Sequence, residues 1–348
     1  MQARMLRILN ESSNRLQRKP LAMALAFLCL ASFSNPLHAG IMLDGTLESQ
    51  YVAFAGQPQF AGSGLLAGPN GGGSGTLIAP DWVLTAGHVG FVNPTTFQPG
   101  GVGPTYSVSQ VITHPQFLAN VQIIGGPLAF LQAPSYGFDI SLVHLSTPVA
   151  SSFASIYRGS NEDNLGAAIT GFGVADFGIS TGQLPQASRA GTNDIDLIIS
   201  LGPGPNGEVG ATQATFLTDF DAPSGIGTVG QYNTLAAVGS SATPSPLEYQ
   251  LASQDSGGGV YVLEGGRWQL AGINSGIIDQ QGIYNAFGIP TVGSTNASGY
   301  GAASLFTRVS SFQSFIDINA LSVPEPSGLV LLSIAAAVSA FQRRFRRW

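Results

Sequence analysis

The chain has 348 residues, of which 44% are hydrophobic and only 9% charged, with a formal net charge of −6. That composition supplies a core and excludes a disordered chain. The charge is unevenly placed: 4 basic and 17 acidic residues leave positions 40–322 at −13, a surface that repels phosphate backbones and anionic lipid and so excludes most electrostatic nucleic-acid binding.

A leader comes first in the chain. Arg4, Arg7, Arg15, Arg18 and Lys19 precede the apolar run Leu21 to Phe33, and Leu37-His38-Ala39 closes the stretch with a small residue before Gly40. This is the layout of a secretory signal peptide over residues 1–39, removed by signal peptidase. A run of that length spans about 20 Å, short of the roughly 30 Å hydrocarbon core, so an uncleaved anchor is the weaker reading. Cys29, the single cysteine, lies in this run, which excludes an intramolecular disulfide and a cysteine-rich metal site.

Residues 40–322 read as one unit of short β-branched or apolar runs separated by Gly, Pro, Asn and Ser. Strands are predicted at Thr76 to Ile78, Trp82 to Leu84, Ser107 to Ile112, Ile140 to Leu145, Ala167 to Thr170, Gly259 to Leu263 and Gln269 to Ile273. Many short strands with frequent turn signals point to a closed β architecture. Helical spacing emerges only at Ser310 to Ala320, where Phe312, Phe315, Ile316 and Ile318 share a face. No repeat of fixed period is present, which argues against solenoids and propellers.

Three stretches carry chemistry. The first runs from Gly73-Ser74-Gly75 through Trp82-Val83-Leu84 into Thr85-Ala86-Gly87-His88-Val89; the second is Phe138-Asp139-Ile140-Ser141-Leu142; the third is Gln254-Asp255-Ser256-Gly257-Gly258. A serine hydroxyl is a poor nucleophile at neutral pH and needs a base within hydrogen-bond reach. Imidazole, with an unperturbed pKa of about 6.5, can take the proton and return it. In this order the stretches resemble the histidine, aspartate and serine segments of the chymotrypsin/trypsin-like serine protease family. Val111-Ile112-Thr113-His114-Pro115, Thr170-Gly171-Phe172-Gly173, Gly272-Ile273-Asn274-Ser275 and Phe306-Thr307-Arg308-Val309 resemble further segments of that family in register.

The resemblance implies an all-β fold of two packed six-stranded antiparallel β-barrels with a C-terminal helix. It implies a serine endopeptidase that cleaves protein or peptide substrates through an acyl-enzyme, without metal or organic cofactor. Ser256 would be the nucleophile, His88 the base, and Asp139 the group that holds the imidazole. The backbone N–H groups of Gln254 and Ser256 would form the oxyanion hole. Asp255 would pair with a freed N-terminal amine, for which Ile41 is the candidate after signal removal and trimming of Gly40. Gln250 would floor the substrate pocket with Ser275 and Gly276 on its wall, and a neutral floor argues against Lys or Arg recognition. His114 and His144 read as structural residues.

Gln254 departs from the family, which has glycine there. A position that needs φ > 0 costs a non-glycine residue about 1–2 kcal/mol, and a flipped peptide would take its N–H out of the hole. A catalytically silent protease-fold binding or matrix protein is therefore the alternative expectation.

The far end reads Val323-Pro324-Glu325-Pro326, then Gly328 to Phe341 without a charge, then Arg343, Arg344, Arg346 and Arg347. Residues 323–348 resemble the PEP-CTERM sorting signal of Gram-negative bacteria, with its short membrane helix and arginine cluster. This implies export, processing by an exosortase, and a place at the cell envelope, cell surface or extracellular matrix, with the arginines on the cytoplasmic side during any anchoring.

Overall fold

A computed structural model of the chain describes residues 40–173, 175–178, 184–226, 232–278 and 299–321. The expected signal peptide and the sorting tail lie outside the described residues.

The first sheet is a closed barrel. Its strands are β2 (Ser63–Gly68), β3 (Gly71–Ala79), β4 (Trp82–Thr85), β5 (Thr96–Pro99), β6 (Tyr106–Thr113) and β7 (Ser141–Leu145), in the order β2-β3-β4-β7-β6-β5; β1 (Ile41–Met42) precedes them. Leu66, Leu77, Val83, Leu84, Phe97, Leu142 and Val143 fill the interior and are all nearly inaccessible to solvent. Closure needs a small residue against the buried Phe97 ring: a Cβ at Gly64 would sit 2.5 Å from Phe97 Cζ. Barrel closure also removes the exposed sheet edges that invite aggregation.

The second sheet has β9 (Gly166–Gly171), β11 (Arg189–Asp194), β12 (Leu197–Ile199), β13 (Thr215–Asp219), β15 (Gly259–Glu264), β16 (Arg267–Ile278) and β17 (Ala303–Arg308), ordered β11-β9-β15-β16-β17-β13-β12. Gly265 and Gly266, at φ 57° and 76°, turn β15 into β16, the double left-handed geometry that a two-residue hairpin favours. Here the expectation of a second closed six-stranded barrel is corrected to an open half-barrel. The twelve-residue β16 is shared among β15, β17 and β8 (Ser155–Ile156), which pairs with it in parallel. A separate three-stranded sheet joins β10 (Asp176–Phe177), β1 and β14 (Tyr249–Gln250), with β1 and β10 parallel.

Helices are more numerous than the spacing of apolar residues indicates: besides α1 (Glu48–Ala55) and the short α2 (Gly87–Phe91), the residues after His114 form α3 (Pro115–Ile124), followed by α4 (Ala129–Gln132). Pro115 opens α3 where its missing N–H costs nothing, and the His114 side chain accepts from Gln116 N–H at 3.2 Å. The closing segment is not one helix: a 3₁₀ turn (Val309–Phe312), α5 (Gln313–Ile316) and a π turn (Asp317–Leu321) succeed one another. Phe312 and Ile316 are buried, whereas Ile318 is 72% exposed and leaves the expected face. Arg308 ties this segment down through fully buried Glu162, which accepts from Nε at 3.0 Å and from Ser310 Oγ at 2.6 Å.

Candidate active site

The site lies where the two sheets meet, and glycines let its three segments approach. At the end of β4, Ala86 is extended and the chain turns into α2 at Gly87. A Cβ at Gly87 would lie 2.9 Å from Ile140 N and 3.0 Å from Asp139 Oδ1. Glycine here lets the aspartate segment close onto the histidine. His88 then donates its backbone N–H to Asp139 Oδ1 at 2.8 Å, and its Nδ1 lies 3.0 and 2.9 Å from the two carboxylate oxygens. Ser275 Oγ donates to Oδ2 at 2.6 Å. Asp139 is fully buried. An ionised carboxylate only accepts, so the Nδ1–H tautomer is favoured and the Nε2 lone pair is left free to act as a base.

The serine loop reaches the same place. Ser74 N–H donates to Ser256 O at 2.7 Å, and a Cβ at Gly73 would meet both Ser256 O at 2.6 Å and Val89 Cγ2 at 2.8 Å. The turn carrying His88 and the turn carrying Ser256 thus flank the start of β3. Gly257, at φ 87°, leaves no room for a side chain beside Thr85 Oγ1 and the Ser74 carbonyl. Asn274 locks the loop by donating to Asp255 O at 3.0 Å and Thr170 O at 2.7 Å. Among the described residues, no hydrogen bond joins His88 to Ser256 Oγ. Such bonds are often long without substrate and tighten when it binds.

Gln254 sits at φ 75°, in the left-handed region, so it keeps the backbone that a glycine would adopt. The N–H groups around it divide cleanly. Those of Asp255, Gly257 and Gly258 donate to Ala252, Asn274 and Asp255 carbonyls at 3.3, 2.8 and 3.0 Å. Among the described residues, the N–H groups of Gln254 and Ser256 have no partner. Two donors in one turn, on either side of Asp255, suit a developing oxyanion.

Asp255 is fully buried, and desolvation pushes its carboxyl up to about 6. The N–H groups of Ala252, Gly173 and Gly40 and the Tyr249 hydroxyl, at 3.1 Å, pull in the other direction. The group nearest Asp255 at the start of the unit is therefore Gly40 and not Ile41, whose segment is held in β1 against Gln250 and Asp176. Gly40 has φ 65°, and a Cβ there would collide with the Tyr249 ring. Only glycine fits.

The three expected pocket residues have different surroundings. Gln250 is fully buried: its Oε1 accepts from Gly299 N at 3.3 Å, while Nε2 has no partner among the described residues. The Ser275 hydroxyl faces Asp139 and orders the carboxylate, a role that its place beside Asn274 did not reveal. Gly276 is half-buried and borders open space. His114 stacks on Phe138 at 5.2 Å, and burial lowers its pKa; His144 contacts Ser109 Oγ at 2.7 Å and Asp81 at 3.3 Å. Both lie apart from the serine loop.

Sequence reasoning missed a second group of carboxyls, Asp196, Asp219, Asp221 and Glu248, all buried. Desolvation raises all four, Asp196 and Asp221 to about 8, and repulsion from Asp219 adds to the shift of Asp196, Asp221 and Glu248. Leu235 N–H and Ser240 Oγ donate to Asp219 at 3.0 and 3.1 Å. Their spacing along the chain gives no hint of the cluster.

No family model matches the chain, and no curated protein matches it.

Proposed function

We propose that the chain is a serine hydrolase of the chymotrypsin-like type, an endopeptidase acting on exported or extracellular protein. The observations that carry this reading are two N–H groups, of Gln254 and Ser256, without a partner among the described residues, and a histidine whose Nδ1 is held by a buried carboxylate. In the proposed reaction Ser256 Oγ attacks the scissile carbonyl carbon while His88 Nε2 takes the hydroxyl proton. The carbonyl oxygen becomes an oxyanion held by the two N–H groups, each typically worth 10²–10³ in rate. His88 then protonates the departing amine, and a water molecule activated by His88 releases the acyl group.

Maturation fits the same scheme. Cleavage after Ala39 by signal peptidase would leave a charged amine on Gly40, next to Asp255, without trimming and without a trypsin-type activation step. Exosortase processing at the tail would decide whether the enzyme stays at the envelope or is released. The reading is tested by digesting a peptide library with the purified protein. Cleavage that disappears in Ser256→Ala supports it. Intact peptides with folded, correctly processed wild type would instead favour the silent binding protein.

A further inference from the structure

The face of the first barrel next to His88 is unusual in two respects. From Trp82 to Phe138 the chain contains no Asp, Glu, Lys or Arg. Soluble surfaces ordinarily carry about a quarter or more charged side chains. Moreover, α2 presents to solvent only the side on which the catalytic candidate lies: Val89 and Gly90 are buried, whereas Phe91, three residues after His88, is 42% exposed. Residues three apart on a helix are neighbours on one face, with Cβ atoms about 5–6 Å apart.

Phe91 is not alone there. Its ring stacks on Phe130 of α4 with centroids 5.4 Å apart and planes within 13°. Leu128, just before α4, is 41% exposed. The shelf is also held rigidly. Buried Phe117 of α3 packs against Gly87, and buried Asn120 clamps Val209, donating to its O at 2.9 Å and accepting from its N at 3.0 Å. Aromatic rings fixed in place at low entropy cost, within a stretch free of charged residues and on the helix face that carries the reacting histidine, favour apolar partners and leave a charged group without compensation.

We infer that Phe91 and Phe130 form a specificity shelf that takes a large apolar or aromatic side chain of the peptide, one to three residues from the scissile bond. This inference rests on the hydrolase reading above. The enzyme accordingly acts on apolar stretches of its protein substrates and disfavours acidic and basic ones at that position.

The test compares peptide series that differ only in the residues flanking the cleaved bond, with Phe, Leu, Ala, Asp or Lys at each position. The full chain is used as wild type, Phe91→Ala, Phe130→Ala and Phe91→Leu. Wild type should favour Phe or Leu over Ala by roughly 10- to 100-fold in kcat/KM at one position. That preference should fall toward unity in both alanine variants and survive largely in Phe91→Leu. Because the preference is a ratio measured within one preparation, partial misfolding of a variant does not move it. Indifferent cleavage by wild type, or an alanine variant that keeps the whole preference, overturns the shelf and leaves the hydrolase reading standing. Wild type that cleaves nothing overturns both.

Discussion

Replacing Gln254 by glycine separates a preformed oxyanion hole from a collapsed one. At φ 75° the glutamine bears left-handed strain of about 1–2 kcal/mol, which glycine removes. Glycine also loosens the unfolded chain, at a cost of about 0.5–1 kcal/mol. The net expectation is a stabilisation of about 0.5–1 kcal/mol, or roughly 0.3 M in the urea midpoint. Activity is the sharper readout. The Gln254 N–H is already unpaired beside the Ser256 N–H, so Gln254→Gly should leave kcat/KM on a peptide ester within about threefold, because no missing donor is restored. A flipped peptide would predict a gain of about 10²–10³ on the same substitution. Urea titration and steady-state hydrolysis of the two proteins provide the comparison. A large gain in rate, or a loss of stability, would refute the assigned backbone.

Three further expectations concern buried carboxyls. Asp139→Asn turns one of the two oxygens that accept from His88 N–H, His88 Nδ1–H and Ser275 O–H into an NH2 donor, which favours the wrong imidazole tautomer; kcat/KM should fall by about 10³–10⁴ with the fold retained by circular dichroism. Asp255 has a folded pKa near 6, above the ordinary carboxyl value, so in a chain with residues still preceding Gly40 its ionisation works against folding as pH rises from about 4 to 6. A chain beginning with a free amine at Gly40 offsets that charge and should be more stable than the extended one by up to about 3 kcal/mol above pH 6, converging with it near pH 4; melting curves across that range are the check. The Asp196, Asp219, Asp221 and Glu248 group also binds protons more tightly when folded, so its contribution to stability is full below about pH 4 and is lost as pH rises toward 8. Asp221→Asn should flatten that decline in a pH series of thermal melts, and an unchanged profile would contradict the assignment.

Much of this arrangement was legible because it depends on local chemistry. Runs such as Trp82 to Leu84 and Gly259 to Leu263 lie in strands because branched, apolar residues between turn formers have few alternatives. The histidine, aspartate and serine segments could be marked from their flanks, and the glycines at 73, 87 and 257 proved to be the points of close approach. What stayed hidden depends on long-range packing. α3 exposes the apolar Leu118 and Ile123 and buries the polar Asn120, so its pattern lacked the polar contrast that betrays a surface helix. Whether β12 and β11 close a second barrel is decided by how the long β16 divides its pairing, which no local run encodes. The acidic group gathers Asp196, Asp219, Asp221 and Glu248 from separate segments of the chain, a meeting that no local run encodes.

The central claim is that Ser256 is made nucleophilic by His88 and Asp139. A fluorophosphonate probe on the correctly processed chain, followed by mass spectrometry of the peptides, tests it most directly. The account predicts one covalent adduct, on Ser256, lost in Ser256→Ala and strongly slowed in His88→Ala. A folded wild-type protein that stays unlabelled, or an adduct on another serine, would contradict it.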